Sequence, residues 1–293
     1  MRDVQQQRAS ANARFRNVRL LLLGLALGGC STMPDLGLSS DGPKWVTLFN
    51  GKNFDGWNLG YAAKPQDSRP SSVMFEIKGG VIHTYPHEVD GTTQPNAYIQ
   101  TKNDYGDYVV HVEYRWGIKK FKPRYGQVRD AGLVFHNYEN PVNNWPHGVE
   151  CQIEEGDTGD TWTISSQVQT TVTTDPDQPS NAPPGAQPIV VYTSPEKGGQ
   201  LATIGKYMDF IRIRHSIMNE VEGWNTVEVI ARGDTATYVV NGVVNMRLTG
   251  LKKWDAATAS WVRLDRGKIL LQAEDSEVYY RNIRIRPLTD ADK

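Results

Sequence analysis

The chain has 293 residues, 32 basic and 33 acidic side chains and a net charge of −1. That balance contains no basic run and argues against a nucleic-acid partner. Its only cysteines, Cys30 and Cys151, leave no room for a disulfide framework.

Taken in chain order, the first feature is a basic stretch with Arg2, Arg8, Arg14, Arg16 and Arg19 running into an apolar block over residues 20–27. That pattern reads as a signal peptide over residues 1–29. The block is far shorter than the roughly 20 residues a membrane-spanning helix needs. It ends in Leu27-Gly28-Gly29-Cys30, which resembles the bacterial lipobox. The resemblance implies cleavage before Cys30 and acylation of its thiol and new amino terminus, giving a membrane partner through the lipid. Ser31 at the next position favours the outer membrane over the inner one, with the protein facing the periplasm of the cell envelope. Residues 30–44 are small, polar and turn-prone, and read as a flexible tether. Without residues 1–29 the chain carries 27 basic against 32 acidic side chains, a net charge of −5. Residues 45–289 then form one domain of a size that suits a single large core.

Beyond the tether no helical period of useful length appears. Period-two stretches bounded by Gly, Asn, Asp and Pro recur instead. Strands are expected at residues 74–77, 81–83, 108–115, 132–136, 149–154, 225–231, 236–240, 243–247, 268–272 and 278–286. Asn241-Gly242 between β-branched runs predicts a tight hairpin, because the pair supplies the two positive φ angles of a type I′ turn. The Pro-, Asn- and Asp-rich residues 170–200 predict a long surface loop beside the site. Many short strands, no repeat of blade length and few helices point to an all-β, two-sheet antiparallel β-sandwich of the jelly-roll type. Eight Trp and thirteen Tyr suit the binding of sugar rings and also the filling of a β core.

The densest polar cluster runs from Gly148 to Trp162. Alternation puts Val149, Cys151 and Ile153 on one face of a strand and Glu150, Gln152 and Glu154 on the other. Residues two apart on a strand lie about 6.6 Å apart and residues four apart about 13 Å. A glycosidase pair needs about 5–5.5 Å for retention or 6.5–9.5 Å for inversion. Glu150 with Glu154 fits neither unless side chains lean together. A second cluster enters a strand at Asp130-Ala131-Gly132 and ends at His136, which alternation sets opposite Leu133 and Phe135. His136 beside Glu150 would be a proton carrier near neutral pH. The remaining histidines have no ligand spacing, and no nucleophile elbow, phosphate loop or dinucleotide motif occurs. Asp157 and Asp160 could hold a hard cation, but no cofactor follows from the pattern.

These blocks stand in an order that resembles the 3-keto-disaccharide hydrolase domain family. The resemblance rests on Val46-Thr47-Leu48-Phe49-Asn50-Gly51-Lys52-Asn53-Phe54-Asp55-Gly56-Trp57, Tyr98-Ile99-Gln100-Thr101, Glu113-Tyr114-Arg115-Trp116, Asp130 to His136, Glu150-Cys151-Gln152-Ile153, Trp224-Asn225-Thr226, Asn241-Gly242, Gly267 to Gln272 and Arg281-Asn282-Ile283. It implies a concanavalin A-like sandwich and cleavage of glycosides already oxidised to a ketone at C3. That chemistry needs a base for the C2 proton, an acid for the leaving group and an electrophile for the enolate oxygen. The implied proton carriers are Glu150 and His136, with Gln152, Glu154, Asp130, Glu113 and Trp162 holding the sugar and a divalent metal as an option. Where many members have Asn-Ser-Gly and a closing arginine, this chain has Asp130-Ala131-Gly132 and His136. Two other classes fit the same surface: a non-catalytic sugar-binding module, and a polysaccharide hydrolase of the laminarinase type, against which Gln152 counts.

Overall fold

A computed structural model describes residues 43–63, 68–174, 190–215 and 217–292; the signal-peptide segment, Cys30 and most of the tether lie outside them. These described residues form one compact unit. No helix among the described residues is long and apolar enough to cross a membrane.

The unit is a jelly-roll sandwich, as the patterning predicts. In the first sheet the order is Phe75–Lys78, Val81–Thr84, Ser276–Pro287, Tyr108–Lys120, Asn225–Arg232, Thr235–Val240 and the start of Val243–Asp255, all antiparallel. In the second it is Trp57–Tyr61, Ala97–Thr101, Lys268–Ala273, Asp130–Glu139, His147–Glu154, Thr161–Ile164 and Phe210–Arg214. The long strand Val243–Asp255 pairs first with Thr235–Val240 and then with Ser166–Thr174 and Ser260–Arg263, so one strand serves both layers. Gly250 sits at this corner with φ of 58°, a left-handed conformation that favours glycine. Corners of this kind let a strand switch sheets without losing its ladder.

Alternation accounts for the core. Val110, Val112, Val227, Val229, Tyr238 and Val240 of the first sheet meet Leu133, Phe135, Val149, Cys151, Ile153 and Leu271 of the second. Cys151 is a buried free thiol whose pKa burial pushes well up, so it acts as a packing group. The predicted hairpin is present: Val240 pairs with Val243, and Asn241 and Gly242 have φ of 48° and 80°. The loop expected over residues 170–200 is narrower than its composition suggests. Ser166–Thr174, Val190–Tyr192 and Gln200–Ile204 are strands, and the proline-rich residues 175–189 fall outside the described part. Val190–Tyr192 pairs with Phe210–Arg214 in parallel, whereas the other strand pairs among the described residues are antiparallel apart from a single parallel bridge between Thr93 and Lys122.

Candidate active site

The site is built on the face of the second sheet turned away from the core. Glu150, Gln152 and Glu154 share that face with Asp130, Gly132 and Val134, because Asp130 pairs with Glu154, Gly132 with Gln152 and Val134 with Glu150. Lys268–Ala273 extends the row, with Leu270 beside Val134 and Glu274 bridged to Asp130. A cavity of about 190 Å³ opens here, lined by Arg124, Asp130, Trp145, Glu150, Gln152, Trp162, Ile164, Phe210, Gln272 and Glu274. Val134, Ile164 and Leu270 form a small apolar cluster on this face, with Tyr98, Trp145 and Trp162 packed against it.

A solvated outer row would leave these carboxylates in water, yet Glu150, Gln152 and Glu154 are only 3–4% exposed. Two arginines cover them. Arg124 pairs with Asp130 and donates to Glu154 Oε1 at 2.9 Å. Arg212 donates to Glu154 Oε2 at 2.5 Å and to Asp160 Oδ2 at 2.6 Å, and its guanidinium stands 5.7 Å from the centroid of Trp162. Gln152 Nε2 donates to Asp130 Oδ1 at 2.7 Å, which fixes the carboxyl that Arg124 also holds.

Four carboxyls, Asp130, Glu150, Glu154 and Glu274, thus share two guanidiniums. The deficit shows in the protons. Burial, with the nearby charge of Asp130 adding to it against the pull of Arg212, pushes Glu150 well above the usual carboxylate range. Glu274 is pushed well up by burial and by Asp130 and Glu150, with Arg124 opposing. Burial raises Asp130 to about 7, with Arg124 pulling down and Glu154 pushing up. Glu150 Oε1 and Gln272 Oε1 both lie over Gly132, where any Cβ would collide with them. Glycine at 132 therefore lets the Glu150 side chain lean along the sheet toward Asp130, which shortens the gap that strand spacing alone leaves. Among the described residues neither of those two oxygens has a hydrogen-bond partner.

The structure brings Glu150, Gln152, Glu154, Asp130 and Trp162 together and leaves two of the expected residues elsewhere. His136 is a correction. It has φ of 49°, and the register of its strand shifts after Phe135. The bulge turns the ring inward against Tyr108 and Phe135, at 5.7 and 5.2 Å between centroids. Burial holds this imidazole at about 4, against the raising influence of Asp265, so it is a neutral core residue at pH 7. Glu113 is the second correction. It lies on the first sheet, held by Arg281 Nε at 2.6 Å and Asn282 Nδ2 at 2.7 Å. Asp157 and Asp160 are not free for a cation either, since both face Arg212 and Asp160 also accepts from the His215 backbone N–H at 2.7 Å. Among the described residues no group of three or more His, Cys, Asp or Glu is arranged to hold a metal ion.

Arg124, Arg212, Gln272, Glu274, Trp145 and Phe210 were not picked out from the sequence. Gln272 and Glu274 follow from alternation once Leu270 is set against Val134. The arginines come from loops and strands distant in sequence, and nothing local marks them.

Comparison with known proteins now decides the family. The profile of the 3-keto-alpha-glucoside-1,2-lyase-like domain matches residues 44–286. The chain belongs to that family. Membership places the 3-keto-alpha-glucoside-1,2-lyase-like domain of this chain among carbohydrate-active proteins. Comparison with curated proteins finds no match. Solved structures similar to this domain include two candidate glycosyl hydrolases from Parabacteroides distasonis ATCC 8503. One is 17% identical with a TM-score of 0.46, over 84% of this chain and 100% of its own. The other is 19% identical with a TM-score of 0.46, over 84% and 94%. An endo-beta-1,3-glucanase from Pyrococcus furiosus is 14% identical with a TM-score of 0.41, over 85% and 97%.

Proposed function

We propose that this domain cleaves 3-keto-glycosides by elimination across C1–C2 followed by hydration. The observation that carries the reading is the trio of buried Asp130 and Glu150 with partly exposed Glu274, carboxyls of raised proton affinity around one small cavity. The family description, a 1,2-lyase acting on a 3-keto-alpha-glucoside, supports it.

The roles divide by proton affinity. Asp130, at about 7, is half ionised near neutrality and serves as the base that takes the C2 proton, made acidic by the C3 ketone. The electrons move into the C2–C3–O system, and Arg124, already beside Asp130, faces the developing enolate oxygen. Glu150 holds its proton at neutral pH and gives it to the C1 substituent, which departs as an alcohol. The enone then takes water at C1; Glu150 receives the proton of that water, and Asp130, its acid proton exchanged with solvent once the leaving group has departed, protonates C2. Both carboxyls end as they began. Trp145 and Trp162 bound the ring, Gln152 and Gln272 orient its hydroxyls, and Glu154 holds the two arginines in place.

The test is a panel of 3-keto-glycosides with their unoxidised parents and measurement of released sugar. We expect release from the keto substrates alone. Release from the parents would indicate direct hydrolysis, and binding without release a sugar-binding module. We also propose that Cys30 carries lipid and holds the domain at the outer membrane. Cys30→Ala should then yield an unlipidated precursor, and a lipid-bearing mature form of that variant would contradict it.

A further inference from the structure

The cavity, at about 190 Å³, is smaller than the roughly 300–1,000 Å³ typical of ligand pockets, so it takes one sugar ring and leaves the rest of a glycoside outside. One side of its mouth continues into exposed apolar side chains. Phe210 lines the cavity and is 38% exposed; Met208 and Tyr207 just before it are 58% and 37% exposed. Tyr207 stacks on Trp254 at 5.3 Å and 23°, and Trp254 meets Trp261 edge-on at 5.5 Å and 76°. The three residue steps from Tyr207 to Phe210 span at most about 11 Å.

This segment is held in place. Met208 adopts φ of 58°, unusual for its type, and its backbone N–H donates to Ser165 Oγ at 2.7 Å. The Ser165 N–H in turn donates to Asp209 O at 2.9 Å. Among the described residues the side chain of Asp209 bonds only locally, accepting from the Phe210 N–H at 2.9 Å. The carboxylates and amides of the cavity therefore stop at Phe210. Sugar subsites pair a ring face with convergent polar groups; Tyr207, Met208 and Phe210 present two rings and a thioether, with the Tyr207 hydroxyl the one polar side-chain group among the three.

We propose that Phe210, Met208, Tyr207 and Trp254 form the leaving-group subsite, and that the leaving group it fits is an apolar aryl aglycone. This rests on the reading that the cavity holds the cleaved sugar. The site would accept the sugar by hydrogen bonds and select the aglycone by burial of its ring.

The experiment uses unoxidised glucosides, which the proposed chemistry leaves intact, and measures binding by calorimetry to phenyl α-glucoside, methyl α-glucoside and trehalose. We expect phenyl glucoside to bind about tenfold tighter than the other two. The double variant Tyr207→Ala/Phe210→Ala, checked for its β-sheet signal by circular dichroism, should bring that ratio to about one. Equal affinity for all three, a preference that survives the double variant, or no binding of phenyl glucoside would overturn the subsite. Turnover of methyl 3-keto-α-glucoside by the unaltered protein is scored separately. An aryl preference without any turnover refutes the chemistry and keeps the subsite, whereas turnover without aryl preference refutes the subsite alone.

Discussion

Two cavities in this sandwich are lined by the same kinds of side chain and treat their protons in opposite ways. The one around Glu150 is small, at about 190 Å³, and its carboxyls are pushed up. The other, about 850 Å³, is lined by Arg115, Trp116, Arg129, Glu155, Glu220 and Glu277 among others. There the charged hydrogen bond from Arg129, with donors at 2.6 and 3.0 Å, holds Glu155 below its ordinary value. Burial would raise Glu277, but His83 at 2.6 Å and the N–H groups of Ile118 and Lys119 outweigh it and hold it down. Glu220 accepts from Tyr114, Trp116 and the Gly156 N–H. Proton affinity therefore does not follow cavity size here. A carboxyl becomes an acid or base near pH 7 when it is buried among more acids than donors, and a structural brace when each oxygen is answered.

That contrast can be broken most sharply at Glu150. Glu150→Gln should reduce turnover of a 3-keto-glycoside by about 10²–10⁴-fold with the fold intact, because the amide keeps the shape and loses the proton. Asp130→Asn should fall by a similar factor. In the unaltered protein kcat/KM should rise with pH through about 7 as Asp130 ionises. An acidic limb that persists unshifted in the residual activity of Asp130→Asn would remove Asp130 from the base's role.

Stability should follow opposite slopes in the two cavities. Asp130, Glu150 and Glu274 have raised values, so their contribution is full below the unfolded carboxylate pKa of about 4 and is lost as pH rises, through about 7 for Asp130. Glu150→Gln should therefore stabilise the fold at pH 8, by about 1–3 kcal/mol. Glu155 and Glu277 have lowered values, so their contribution is present above about pH 4 and lost as pH falls through their folded values. Glu277→Gln should cost about 1–3 kcal/mol at pH 7 and less at pH 3. Denaturant titrations at these pH values check both, and slopes of the same sign would dissolve the distinction.

The smallest effect on rate is expected at His136. Its ring packs between Tyr108 and Phe135, so His136→Ala should cost about 1–3 kcal/mol of stability and leave kcat/KM within a few-fold. A hundredfold loss of rate in a stably folded His136→Ala would place it back in the chemistry.

Much of this arrangement is legible in the sequence because β structure has a two-residue period. Alternation alone puts Cys151 in the core and Glu150, Gln152 and Glu154 on the opposite face, and Asn241-Gly242 marks its hairpin. What escapes is whatever breaks the period or crosses the chain. The bulge at His136 reverses one side chain with no glycine or proline to announce it. Glu113 sits in a correctly anticipated strand, but only the pairing of strands tells that this strand belongs to the other sheet. Arg124 and Arg212 meet Glu154 from 30 and 58 residues away, and they change that row from a solvated surface into a buried charge cluster.

The most direct test of the central claim, that Asp130 removes a C2 proton beside a C3 ketone, is turnover in deuterated water. The released 3-keto sugar should carry deuterium at C2 beyond the level of uncatalysed enolisation. Cleavage that leaves C2 free of deuterium would contradict elimination, even with every residue of the site in place.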